Sequence, residues 1–282
     1  MTATLLLGAS GQLGSAFGRK VEGVVSPGRG DLDLAHITPE SVLEVMDSVE
    51  PDVIINCAAW TAVDAAEMAE EEANLVNGAA VGVLAAAADQ RSIPFVTFST
   101  DYVFDGSSGR AYREEDPPNP INAYGRSKLL GEELALRHPL SLVIRTSWVQ
   151  SGTHSCFIRK MIELAGERDA LRVVDDQIGR PTFADDLADA TITALDLDVR
   201  GLVHMANSGE ASWYELAKET LELAGMATHV EPIPSSEFEI PAPRPHNSVL
   251  DLKRMSDLGI PELPSWQATL ADTIPTIMKM YQ

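Results

Sequence analysis

The chain has 282 residues, 45% of them hydrophobic, which is enough apolar material for one large core, or one core and a smaller lobe, and excludes an extended disordered chain. A formal charge of −21 repels polyanions, so neither nucleic acid nor an anionic membrane is an expected partner. The two cysteines, Cys57 and Cys156, lie in apolar segments and predict buried free thiols in a reducing compartment rather than a disulfide framework.

Met1 to Gly8 has no charged start and no small-residue cleavage site, so it is not read as a signal peptide. It contains instead the first of five short strand-like runs, expected at Thr4 to Leu7, Gly23 to Ser26, Val53 to Asn56, Phe95 to Ser99 and Leu142 to Arg145. Helix-compatible stretches alternate with them: Gln12 to Lys20, Pro39 to Val49, Glu70 to Gln90 and Tyr124 to His138. Thr38 is the expected cap of the second helix, which Pro39 starts, while Pro51 and Pro94 each precede a strand. This alternation predicts an α/β fold, a Rossmann-type doubly wound parallel sheet covered on both faces.

After Arg145 the expected helices, Phe157 to Glu167, Ala184 to Leu195 and Trp213 to Gly225, are separated by longer loops, and Pro232, Pro234, Pro241, Pro243 and Pro245 cluster. Interleaved apolar residues make that cluster an ordered connection within a smaller C-terminal substrate-binding lobe rather than a flexible linker. The expected division is a dinucleotide-binding domain over 1–147 with a return near 176–204, and a substrate lobe over 148–175 and 205–282. The alanine-rich stretch Gly78 to Ala88 is too short to span a bilayer, so a cytoplasmic protein is expected. None of the six histidines lies three or four residues from another histidine or a cysteine, and no metal is expected.

The first strand runs into Gly8, Gly11 and Gly14, with Gln12 and Leu13 opening a helix. Glycine permits a tight turn and a close backbone approach to a pyrophosphate, whose charge meets the helix start. The second strand ends without the carboxylate that would bind an unphosphorylated ribose, and Arg29 follows. An adenosine 2′-phosphate is therefore accommodated and NADPH favoured over NADH, unless Arg29 is only a solvated loop residue. Asp33 and Leu34 are placed at the adenine end, with a turn-forming role for Asp33 as the alternative. Ala59, Trp60 and Thr61, after the third strand, are candidate cofactor contacts or ordinary packing.

Thr100 and Asp101 follow the fourth strand, at the sheet end where ligands sit in such folds. Tyr124 and Lys128 are four apart, a spacing that puts phenol and ammonium on one helix face. A cation there lowers the tyrosine pKa and gives proton transfer near neutral pH, with the Thr100 hydroxyl on the same reacting oxygen. Such a pair also occurs by chance on surface helices; the glycine loop and the position of Thr100 favour chemistry.

These residues resemble the extended short-chain dehydrogenase/reductases and, within them, the dTDP-4-dehydrorhamnose reductase family. The resemblance covers residues 4 to about 251 and is carried by Gly8 to Gly14, Asn56 to Asp64, Ser99 to Phe104, Tyr124 to Lys128, Arg145 to Trp148, Asp176 to Thr182 and Arg244 to Ser248. It implies that Tyr124 protonates the C4 oxygen of a dTDP-4-keto sugar while NADPH delivers hydride. It further implies that Lys128 binds the nicotinamide ribose, that Thr100 and Asp101 contact the sugar, and that Trp148 borders the pocket, where its alternative is a core aromatic. Arg244 resembles a family position suited to a phosphate contact, with a structural salt bridge as the alternative. Relatives making the talose epimer or reducing another deoxy-keto sugar share these motifs, as does one non-catalytic regulatory relative. Some members form a metal-bridged dimer through a glutamate; here that position is Ala16, and Asp185 alone does not suffice, so a monomer or metal-free homodimer is expected.

Overall fold

The computed structural model describes residues 3–238 and 240–281. Strand β1 (Thr4–Leu7) lies between β2 (Val24–Val25) and β3 (Val53–Asn56), and β4 (Phe95–Thr100) and β5 (Ser141–Thr146) continue the sheet beyond β3. A sixth strand, Gly201–His204, closes the far edge against β5, and all six are parallel. The chain departs from β1 to one side for β2 and returns to its other side for β3. That reversal opens a crevice at the carboxyl ends of β1 and β3, where ligands bind in open α/β sheets.

Alternate residues of the strands feed two cores. Leu6, Ile55, Val96 and Ile144 face α1 (Gln12–Lys20) and the Ala184–Asp196 helix, whereas Leu5, Leu7, Ile54 and Val143 face α2 (Pro39–Val49) and the Ala80–Gln90 helix. Burial on both faces explains why these strands read as continuous apolar runs. Each such fully buried side chain contributes ~1.5–3 kcal/mol. Thr38 caps α2 as its sequence predicts, accepting from Ser41 N while the Ser41 hydroxyl accepts from Thr38 N.

The predicted helix over 70–90 forms, but with a π-helical turn at Leu75–Ala79 between Glu70–Asn74 and Ala80–Gln90. The Ala123–Ala135 helix crosses that turn closely: a Cβ on Gly131 would lie 2.1 Å from the Asn77 carbonyl oxygen. Two glycine-sized contacts, at Gly78 and Gly131, thus let the backbones approach. The crossing helix starts one residue before the predicted Tyr124, because Asn122 accepts from Gly125 N at 2.7 Å and caps it. Beneath it lies a buried ion pair, with Arg145 Nη2 2.7 Å from Glu132 Oε2 and the two side chains 3% and 2% exposed.

A separate apolar cluster joins Phe157–Ala165, Trp213–Leu223 and Trp266–Met278 through Ile158, Leu216, Leu270 and Ile274. The parallel strand pair Ala170–Val174 and His229–Ile233 packs with it. Pro232 is tolerated there because that strand has a neighbour on one side only. Beyond it, the proline-rich segment is tied down: Pro243 O accepts from Asn122 Nδ2, and His246 O accepts from Ile178 N at 2.8 Å.

Three expectations need correction. The second strand is only Val24–Val25, because Gly23 takes a left-handed φ of +69° and the chain turns away after it pairs with β1. The Phe157 and Trp213 helices end at Ala165 and Leu223, two residues early, where Gly166 and then Gly225, with φ +67°, take up the turns. Both cysteines are half-buried rather than buried: Cys57 borders the crevice after β3, and Cys156 sits at a helix start with its thiol donating to Ser151 O.

Candidate active site at the carboxyl ends of the strands

The glycine loop is shaped by contacts that allow no side chain. Gly8 has φ +76°, and a Cβ on it would sit 2.5 Å from Ala58 N, on the loop after β3. A Cβ on Gly14 would sit 2.1 Å from Gly8 O. Gly11 N donates to Gly8 O at 3.0 Å, and α1 then begins with no side-chain cap and no acidic residue in its first turn. The amides of Gln12, Leu13 and Gly14 therefore have no intrahelical acceptor and no competing carboxylate, and Gln12 Oε1 is buried without a partner. Such a helix start can hold an anionic group.

Arg29 is exposed on the turn after β2, where Gly28 N donates to Asp31 Oδ2. Asp33 accepts from Ala35 N at 3.1 Å and faces His36 Nδ1 at 3.0 Å, which caps a short 3-10 turn, Leu34–His36. Of its two sequence readings, the turn-forming one is what the geometry contains. His36 and the Ala35 amide hold its pKa below the ordinary carboxylate value. Leu34 packs partly against the core under α2.

At the end of β4, the Thr100 hydroxyl donates to Asp101 Oδ1 at 3.0 Å and accepts from Tyr102 N at 3.1 Å. Tyr124 reaches the same hydroxyl from the Ala123–Ala135 helix, and its ring meets Tyr102 edge-on at 6.1 Å. Tyr124 and Trp60 pack together on Ala66, Ala73 and Ala123. Lys128, 5% exposed, feels the Glu132 carboxylate one turn on and Cys57 at the end of β3. The helix thus brings Tyr124 and Lys128 to the carboxyl end of β4, where Thr100 and Asp101 lie.

The electrostatics differ from the sequence expectation. Removal from water pushes the Tyr124 phenol up to about 12, helped by the Asp101 charge, with the Thr100 hydroxyl offsetting part of the rise. Burial also brings the Lys128 ammonium down to about 8, against the pull of Glu132 and Cys57. The tyrosine pKa is therefore raised, not lowered, because desolvation and the Asp101 charge outweigh the Thr100 hydroxyl. Such a phenol is suited to donating a proton, not to resting as phenolate.

Residues 1–278 match the family model for the RmlD substrate binding domain. The chain belongs to the RmlD family. It is 41% identical, over 93% of its length and 95% of the relative's, to the dTDP-4-dehydrorhamnose reductase of Burkholderia thailandensis. It is 39% identical, over 97% and 96%, to the dTDP-4-keto-6-deoxy-D-glucose reductase of Streptomyces niveus. Its fold matches, with TM-score 0.93 and 32% identity over 97% of this chain and 99% of the other, a crystal structure of dTDP-4-dehydrorhamnose reductase from Bacillus anthracis str. Ames in complex with NADP.

In this RmlD chain Arg244 pairs with Asp64 through two bonds of 3.0 and 2.9 Å, and it also donates to Ala242 O. The salt bridge, one of the two sequence readings, is thus present, and Tyr102 lies against the same guanidinium. Trp148 takes φ +49° and stacks on Trp213 at 3.6 Å, with Gly179 beneath it where a Cβ would lie 2.6 Å from the indole. Its Nε1 is buried without a partner. Ala16 is wholly buried, and Asp185 pairs with Arg19 at 2.7 Å.

Sequence reasoning did not single out four residues that contact the candidates: Asn77, which holds the Trp60 backbone; Asp64, which holds Arg244; Tyr102, against Tyr124; and Trp213, stacked on Trp148. Only Asn77 left a local signal, an amide side chain inside a helix where its competing hydrogen bonds are ordinarily unfavourable. Among the described residues, no helix is long and apolar enough to cross a membrane.

Proposed function

We propose that this protein reduces the C4 keto group of dTDP-4-dehydro-L-rhamnose to dTDP-L-rhamnose with NADPH. The observation that carries the reading is Tyr124 and Thr100 meeting beside an uncapped glycine cradle, in a chain related along its length to dTDP-4-dehydrorhamnose reductases. The empty first turn of α1, the buried Gln12 Oε1 and the side-chain-free contacts of Gly8 and Gly14 fit a dinucleotide diphosphate. Bound there, NADPH supplies the hydride for C4. Gln12, Leu13 and Gly14 would present amides to the diphosphate over the Gly8–Gly11 turn, Arg29 would meet the 2′-phosphate, and Asp33 and Leu34 would border the adenine. Ala59, Trp60 and Thr61 line the floor after β3.

Tyr124 is the general acid. A phenol held near 12 keeps its proton through the working pH range and releases it only to a strongly basic oxygen, which is what C4 becomes as it accepts hydride. Lys128, one turn on, is the cation that limits the cost of the resulting phenolate, and it would hydrogen-bond the nicotinamide ribose. Thr100 holds the Tyr124 phenol that faces the C4 oxygen. Trp148, stacked on Trp213, and Arg244, held by Asp64, lie on the sugar-nucleotide side, with the second apolar cluster as the substrate lobe. We read the protein as cytoplasmic and as a monomer or metal-free homodimer.

The Streptomyces niveus relative supports a second reading, reduction of another dTDP-4-keto-6-deoxy sugar. Incubation with NADPH and a panel of dTDP-4-keto sugars, with products read by NMR, separates the two. An equatorial 4-hydroxyl on the rhamnose product supports the first; an axial one sinks it.

A further inference from the structure

Asp101 is an uncommon carboxylate. It is 2% exposed, and among the described residues no cation pairs with it and its Oδ2 has no hydrogen-bond partner. Its Oδ1 lies 3.0 Å from the Thr100 hydroxyl, which Tyr124 also reaches. Arg244, the nearest guanidinium in the loop above, is committed to Asp64. The groups facing Asp101 are Tyr102 on its own segment, Tyr124 on the crossing helix and the Ser248 hydroxyl on the C-terminal loop; none of them neutralises its charge.

We propose, building on the reductase reading, that Asp101 is the proton reserve behind Tyr124, connected through Thr100. As Tyr124 gives its proton to the sugar C4 oxygen, the phenolate oxygen takes the hydroxyl proton of Thr100. Thr100 Oγ1 takes the carboxyl proton of Asp101, and the carboxylate left behind is reprotonated from water after product leaves. Three O–H bonds break and three form within the site, and the net proton comes from solvent. Thr100 Oγ1 already accepts from Tyr102 N and lies 3.0 Å from Asp101 Oδ1; once Asp101 holds a proton, that contact reverses its sense, the carboxyl donates to Thr100, and the hydroxyl hydrogen is left for Tyr124. Burial supports the protonated state, pushing the Asp101 carboxyl up to about 7 against the Ser248 and Thr100 hydroxyls. Asp101 acts through Thr100, so it is a positioning residue of the proton path and not the acid itself.

The test uses wild type, Asp101→Asn, Thr100→Val and the double variant, each profiled for kcat against pH with dTDP-4-dehydrorhamnose and NADPH. Carboxyl NMR of 13C-aspartate-labelled protein runs alongside. Asparagine still accepts from Thr100 but holds no transferable proton. The expected result is a wild-type kcat that falls above neutral pH, and an Asp101→Asn kcat lower by about tenfold or more with that limb gone. NADPH affinity is unchanged, and the double variant is no slower than Thr100→Val alone. One aspartate signal titrates near neutrality in wild type and is missing from Asp101→Asn. A variant that keeps the neutral limb, or is slowed equally at every pH, overturns the relay, as does the lack of such a signal. A wild type that reduces no dTDP-4-keto sugar overturns the reductase reading and the relay with it.

Discussion

Asn77 holds the Trp60 peptide from both ends, its Oδ1 accepting from Trp60 N at 2.8 Å and its Nδ2 donating to Trp60 O at 3.0 Å. The same Nδ2 donates to Ser127 Oγ at 2.9 Å, and that hydroxyl donates to Tyr124 O at 2.8 Å. One buried amide therefore ties the loop after β3 to the helix that carries Tyr124 and Lys128. The π turn makes this possible, since the extra residue swings Asn77 into the gap left by Gly131.

Replacing Asn77 with alanine strands both Trp60 groups and costs about 2–3 kcal/mol of stability, read as a shift in urea midpoint. NADPH binding weakens with it, because the loop that floors the crevice is no longer fixed. Asn77→Asp is the informative companion: it still accepts from Trp60 N, but sets a carboxylate against Trp60 O and recovers little.

Tyr124→Phe lowers kcat by about 10²–10⁴-fold while NADPH titration stays near wild type. Lys128 has a separate signature in stability. Its folded pKa, about 8, lies below its ordinary 10.5, so the unfolded chain binds the proton more tightly between those values. The cost of burying the charge is complete below about pH 8 and disappears as pH rises toward 10.5. Wild-type stability thus gains up to ~1.4 kcal/mol per pH unit in that window relative to Lys128→Met. Parallel curves for the two proteins would contradict a buried, depressed lysine.

The Glu132–Arg145 pair separates removal of a partner from removal of a pair. Glu132→Ala leaves Arg145 buried and uncompensated, a loss of about 3–5 kcal/mol. The double change Glu132→Leu with Arg145→Met gives back most of that loss in urea unfolding. If the double variant is as unstable as the single one, the bridge has a packing role that charge does not explain.

Arg29→Ala lowers the preference for NADPH over NADH by about tenfold, since a charge-assisted contact to the 2′-phosphate is lost while the rest of the cradle is unchanged. Comparing kcat/KM for the two cofactors measures it. An unaltered ratio would leave Arg29 as an exposed turn residue.

Much of this molecule was legible because its signals are local. Four strands of the sheet, α1 and α2 follow from apolar runs, glycines and a capping threonine, and the Tyr124–Lys128 spacing places both groups on one helix face without knowledge of the fold. What was not legible depends on distant partners. Arg244 and Asp64 are 180 residues apart, and no local pattern tells that arginine's ion pair from a phosphate contact. The direction of the Tyr124 shift was missed for a related reason: spacing reveals the lysine, whereas the desolvation that raises the phenol comes from segments packed around the ring.

Trp148 and Trp213 lie nearly parallel, 6° apart, at a separation where indole transitions couple. Trp148 follows β5 of the large sheet, while Trp213 opens a helix of the second cluster. The protein therefore carries an optical gauge across that seam: an exciton couplet in far-ultraviolet circular dichroism that fades when the rings slip or part. Adding nucleotide sugar to an unlabelled sample would report whether that seam moves.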